Sequence, residues 1–140
     1  MAPENLQRFL WAQEGVLEQV QEELRAGRKT SHWMWFIFPQ LAGLGRSATA
    51  QRYALASLDD ARAFLAHPEL GSRLRTCCSL LLCHRDRPVE QLLGPIDALK
   101  LRSSMTLFLQ ASGEPLFRQV LDAFYEGRED SLTLDLLAQH

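Results

Sequence analysis

Apolar residues three and four apart run through this chain, and that spacing constrains its architecture more than any other feature. Leu6, Phe9, Leu10, Gln13, Val16, Leu17, Val20 and Leu24 fall on one stripe of a helix drawn from Glu4 to Ala26. Gly27 supplies the stop, and Arg28 and Lys29 put cations where the carbonyl end of a helix favours them. Gly15 stands inside this helix. A glycine there costs about 1 kcal/mol relative to alanine, which predicts close packing against that turn.

The rest of the chain breaks into shorter helices with recognisable ends. Ser57 with Asp60 forms an acidic capping box that starts Leu58–Ala66. Pro68 opens a helix to about Cys83, and Pro88 starts a short one ending at Gly94. Asp97 is expected to cap Ala98–Ala111. Gly113-Glu114-Pro115 turns into Leu116–Tyr125, which Gly127 stops, and Asp130 or Ser131 caps the last helix. Strand alternation is nearly absent. Only Trp33–Phe38, six large apolar residues with no helical polar face, is open to an extended conformation, and Pro39 ends it. Gly43-Leu44-Gly45-Arg46-Ser47 is a glycine-rich turn opening a helix over Ser47–Ala56. The expected fold is mainly α: a compact single-domain bundle of about seven short-to-medium helices over residues 1–140, with one short extended segment allowed near Trp33–Phe38.

Composition narrows the function classes. Fifteen Lys and Arg against seventeen Asp and Glu, a formal charge of −2, argue against a general nucleic-acid coat or an anionic-membrane binder. No segment reaches the roughly 20 apolar residues of a membrane helix. Met-Ala-Pro-Glu-Asn-Leu-Gln at the start lacks a basic region followed by an apolar core, so no secretion signal is expected. Three cysteines, two of them adjacent at Cys77 and Cys78, make a disulfide framework unexpected. Together these point to a cytoplasmic protein.

Three stretches carry residues suited to chemistry. In Ser31-His32-Trp33-Met34-Trp35-Phe36, two indoles beside a histidine suit a flat ligand, although large aromatics more often build cores. Gly45-Arg46-Ser47, at the start of a helix, combines backbone N–H groups, a guanidinium and a hydroxyl, the ingredients of an anion site. It matches neither a Walker A nor a dinucleotide fingerprint, and a tight turn with a serine cap explains it slightly better. From Asp97 to Thr106, spacing puts Asp97, Lys100 and Ser104 on one helical face. An acid, a lysine and hydroxyls so placed suit proton transfer, and a capped helix with a surface ion pair is the plainer account. Ser103 or Ser104 is expected to be buried and hydrogen-bonded within reach of His32 or Arg46. Cys77, Cys78, Cys83 and His84 lack zinc spacing, so neither a metal nor a cofactor is expected.

The run Ser31–Gln40, then Gly43-Leu44-Gly45, then Lys100–Phe108 resembles a bacterial family known as domain of unknown function 1810, as do Leu6–Phe9 and Ser57–Ala61. The resemblance covers nearly the whole chain and implies a compact, mostly helical single domain. It brings no established catalytic residues. The chain departs from the family pattern at Gly94-Pro95-Ile96-Asp97, where a proline nearer the aspartate is expected. Some members carry a calpastatin-like label, but calpastatin acts as a largely disordered chain and this composition is globular. A fainter similarity, at Leu44-Gly45-Arg46 and Gly94–Asp97, is to NADAR-type proteins, which act on ADP-ribose-linked substrates and N-glycosidic bonds.

The expected function is binding of a small anionic, nucleotide-like ligand of the ADP-ribose type, with hydrolysis of an N-glycosidic bond left open. Trp33 or Trp35 would stack on the ring, Gly45, Arg46 and Ser47 would hold phosphate, and Ser103 and Ser104 would complete the pocket. His32, Asp97 and Lys100 would handle protons. The alternative is a non-catalytic protein–protein interaction module.

Overall fold

The computed structural model describes residues 6–139; Glu4 and Asn5, where the first helix was drawn to begin, lie outside them. Among the described residues there are ten helices: α1 (Gln7–Gln13), α2 (Leu17–Ala26), α3 (Met34–Ile37), α4 (Ala48–Arg52), α5 (Leu58–Ala66), α6 (Leu70–Leu82), α7 (Val89–Leu93), α8 (Pro95–Ser112), α9 (Pro115–Tyr125) and α10 (Ser131–Ala138). Extended pairing is confined, among these residues, to one isolated bridge between Leu41 and Leu55. No described helix is long and apolar enough to cross a membrane.

Four differences from expectation have local causes. The long first helix is two helices, because Gly15 takes φ +79°, a left-handed conformation that glycine adopts without steric cost. A Cβ there would meet nothing within 4 Å, so Gly15 makes a turn and not the expected close contact. Trp33–Phe38 is not extended. It closes one helical turn, with Ile37 and Phe38 N–H donating to the Trp33 and Met34 carbonyls, before Pro39 ends it. The helix drawn over Ser47–Ala56 stops at Arg52, since Leu55 N–H donates to Gln40 O and Ala42 N–H to Leu55 O. Finally, α8 starts at Pro95 with Gly94 as its N-cap, so Asp97 sits in the first turn and does not cap the helix.

Helix α5 has the bounds its capping residues predict, with Asp60 N–H donating to Ser57 Oγ. His67 then opens α6, its Nδ1 accepting from the Glu69 and Leu70 N–H groups. The centre of the molecule is α8, packed against α5, α7, α9 and α10. Its residues Ser103–Phe108 are consecutively buried, because neighbouring helices cover that stretch on every side. A file of rings crosses the core from α1 to α9: Phe9 meets Phe64 edge-on at 5.1 Å, Phe64 meets Phe108 at 5.5 Å, and Phe108 meets Phe117 at 5.7 Å. Each such pair adds about 0.5–1.5 kcal/mol beyond burial alone.

Candidate functional site

The most elaborate polar cluster forms where the segment after α2 meets the start of α8. Gly27, at φ +72°, caps α2 and turns the chain back, and Lys29 N–H donates to Leu92 O, fastening the segment to α7. Beneath it lies Glu23, 5% exposed. One of its oxygens accepts from Thr30 N–H (2.7 Å), Ser31 N–H (3.0 Å) and the Trp33 indole N–H (3.0 Å). The other accepts from Ser31 Oγ (2.6 Å) and Gln19 Nε2 (2.8 Å). Burial by itself would raise the pKa of this carboxyl. The bonds from Ser31, Thr30, Gln19 and Trp33 outweigh that and hold it well below the usual carboxylate range.

Above Glu23, Lys29 points inward, its side chain only 8% exposed. Its Nζ lies 2.8 Å from Asp97 Oδ2, donates to Ser31 O at 2.7 Å and stands 5.1 Å from the Trp33 ring centroid. Asp97 Oδ1 faces Lys100 Nζ at 3.6 Å, and that ammonium sits 4.7 Å over the Trp35 ring. One carboxylate thus bridges two lysines, each resting on its own tryptophan. Trp33 is buried, Trp35 and Lys100 are half-buried, and His32, the residue before Trp33, is exposed. Two ammonium groups face one carboxylate, Lys29 from the inside and Lys100 from the more exposed side, and Lys100 has the looser contact.

Of the residues singled out from sequence, Trp33, Trp35, Asp97 and Lys100 therefore converge, and His32 adjoins Trp33 in the chain without a side-chain contact to the cluster among the described residues. The others do not join them. Ser47 Oγ accepts from Ala50 N–H at 3.1 Å, a cap on a five-residue helix. Arg46 is exposed and has no ion pair among the described residues, and its carbonyl accepts from Gln51 Nε2. At Gly45 a Cβ would collide with Ala50, which accounts for the glycine by packing. Ser103 and Ser104 are both buried, but Ser103 Oγ donates to Leu99 O at 3.2 Å and Ser104 Oγ has no partner among the described residues. Ser103 is thus buried and hydrogen-bonded, as expected, but neither hydroxyl bonds to His32 or Arg46. Ser103 and Thr106 instead return their hydroxyls to the helix backbone, Thr106 Oγ1 donating to Arg102 O and accepting from Asp130 N–H.

The cysteines and His84 also have structural settings. Cys77 and Cys78 lie in the core, where burial pushes the Cys77 thiol up to about 12 and Cys78 well above its ordinary value. His84 Nε2 lies 2.9 Å from Leu24 O and 3.1 Å from Arg25 O, tying the end of α6 to the end of α2.

Two central members of the cluster, Glu23 and Lys29, were not among the sequence candidates. Glu23 left a trace: three residues after Val20, it is a carboxylate at the buried spacing of the stripe. Lys29 left none, because a cation after a helix-ending glycine is fully explained by the helix dipole.

Comparison with known proteins locates this architecture. Residues 3–137 match the model of a family described as "Protein of unknown function (DUF1810)". The chain belongs to that family. It is also similar to the crystal structure of the conserved hypothetical protein Rv1873 from Mycobacterium tuberculosis, with 50% identity, a TM-score of 0.94 and 96% of each chain covered. No curated protein matches this DUF1810 chain.

Proposed function

We propose that the face formed by Trp35 and Lys100, with exposed His32 nearby in the chain, binds a small anionic ligand carrying a flat ring, of the nucleotide or ADP-ribose type. One observation carries this: Lys100 stands over a half-exposed indole and is held to Asp97 only at 3.6 Å. Lys29, enclosed by Asp97, Ser31 and Trp33, keeps the underlying charge in place. Lys100 can swing toward solvent and offer its charge to a phosphate, leaving the Trp35 face for a ring. Binding is better supported than hydrolysis. Each Asp97 oxygen faces an ammonium, which makes it a weak candidate for a general base, and His32 is then the group left for proton transfer.

Titration of ADP-ribose and AMP, followed by tryptophan fluorescence and calorimetry, tests the proposal. Saturable binding is expected, weakened about tenfold or more in Lys100→Met, the loss of one charge-assisted contact. Ribose 5-phosphate, without the ring, should bind more weakly than AMP. No saturable binding of either nucleotide would refute the proposal. Arg46→Ala shows whether the Gly45–Ser47 turn adds a phosphate contact.

A protein partner is the second reading, favoured by Ile96 and Leu99, which are 69% and 65% exposed on α8 beside Lys100. Ligand binding unaffected by Leu99→Asp separates the two.

A further inference from the structure

A cleft lined by none of the lysine-cluster residues lies between the outer face of α1 and the start of α6. Gln7, Leu10, Trp11 and Glu14 line one side, and Glu69 and Arg73 the other. Its volume is about 270 Å³, below the roughly 300–1,000 Å³ of cofactor-sized pockets, so it suits one long side chain. Trp11 is 65% exposed and has no aromatic or cationic partner among the described residues.

The charges around the cleft are unevenly engaged. Arg73 is fixed as part of the wall, donating to Gln13 Oε1 at 3.2 Å and to Glu69 Oε2 at 3.0 Å. Gln13 is itself buried and donates to Phe36 O, so the guanidinium hangs from the core. Glu14 has no ion pair among the described residues, and one Glu69 oxygen remains unpaired. Two carboxylates against one fixed guanidinium leave a formal charge of −1 beside an exposed indole face.

We infer that this cleft is a docking site for an arginine side chain of a peptide partner. A planar guanidinium stacks on an indole face and presents forked N–H donors to carboxylates, whereas an ammonium offers a single point charge. Leu10 and Trp11 cover the methylene stem, and Glu14 and the free Glu69 oxygen receive the head. The site shares no residue with the Trp35–Lys100 face, so it stands or falls independently of the function proposed above.

The test is an NMR titration of the full chain with acetyl-Gly-Arg-Gly-amide, following the Trp11 indole N–H, which is assigned by its disappearance in Trp11→Phe. The expected result is a saturable shift with a Kd in the millimolar range. Affinity should be at least fivefold weaker for the citrulline peptide, which is isosteric but neutral, and weaker for the lysine peptide. Glu14→Gln, an exposed change that leaves the fold intact, should weaken the arginine peptide at least threefold. Equal binding of the citrulline peptide, a shift map centred elsewhere, or an unchanged affinity in Glu14→Gln would overturn the inference. Spermidine binding as tightly as the peptide would overturn the assignment to an arginine.

Discussion

Removing Glu23 tests the account of the cluster most directly, because one carboxylate organises the whole 27–33 segment. In Glu23→Ala the buried Trp33 indole N–H loses its one acceptor among the described residues, at about 1–3 kcal/mol. The Thr30 and Ser31 groups lie nearer solvent and rehydrate, at about 0.5–1.5 kcal/mol for each bond. The expected total is about 2.5–7.5 kcal/mol, a large fraction of the roughly 5–15 kcal/mol that holds a domain together. Glu23→Gln should cost much less. Its carbonyl oxygen can keep the three N–H donors that share one Glu23 oxygen, while Ser31 Oγ turns to accept and Gln19 flips to present its own oxygen. What remains is the loss of charge assistance, about 1–2 kcal/mol. Because the folded pKa of Glu23 is depressed, its stabilisation is present above the unfolded value of about 4.3 and is lost as pH falls through the lower folded value. Urea denaturation from pH 7 to pH 2.5 should show the gap between wild type and Glu23→Gln narrowing below about pH 4. A gap constant across that range, or a Glu23→Ala cost under about 1 kcal/mol, would refute the reasoning.

Other substitutions follow from burial. Trp33→Ala should cost about 3–5 kcal/mol and Trp35→Ala much less, read from denaturation midpoints; equal losses would mean that Trp35 is core. Ser104→Ala should leave stability unchanged or raise it by about 1 kcal/mol, since it removes a buried hydroxyl without a partner and adds a better helix former. A clear fall in Tm would reveal a hydrogen bond there. Gly71→Ala should destabilise by about 1–3 kcal/mol, because its Cβ would collide with the Leu65 carbonyl and push α5 from α6; a melt matching wild type would show that the helices can part freely.

Local chemistry was legible wherever it was enough to decide the structure. Ser57 and Asp60 fix the start of α5, Gly27 its own left-handed cap, and Asp130 the last helix through bonds to Thr133 N–H and Oγ1. Sequence spacing fails where two local devices compete or where a distant partner decides. Gly15 has one signature for a packed helix and for a broken one, and only its φ separates them. Leu55 leaves the α4 helix because Gln40, fifteen residues earlier, accepts its N–H. For the candidate site, the aromatic run and the Asp97–Lys100 pair were both visible, but nothing in either predicts that Lys29 joins them. The hydroxyls of Ser103 and Thr106 misled for a physical reason: a serine or threonine in a buried helix can satisfy itself on the carbonyl four residues back, without any pocket.

The central position of α8 also sets when this chain can become itself. Helices α5 and α7 precede α8 in sequence but press their apolar faces on it, as do α9 and α10 after it. During synthesis the first ninety-odd residues therefore leave the ribosome without the surface they are shaped to cover, and the native core must wait for residues 95–112. A nascent chain halted before Pro95 should be protease-sensitive throughout, and protection should first appear once Ser112 has cleared the ribosomal exit tunnel. Splitting the gene at Gly94 should yield two fragments that are each unfolded alone and fold only on meeting.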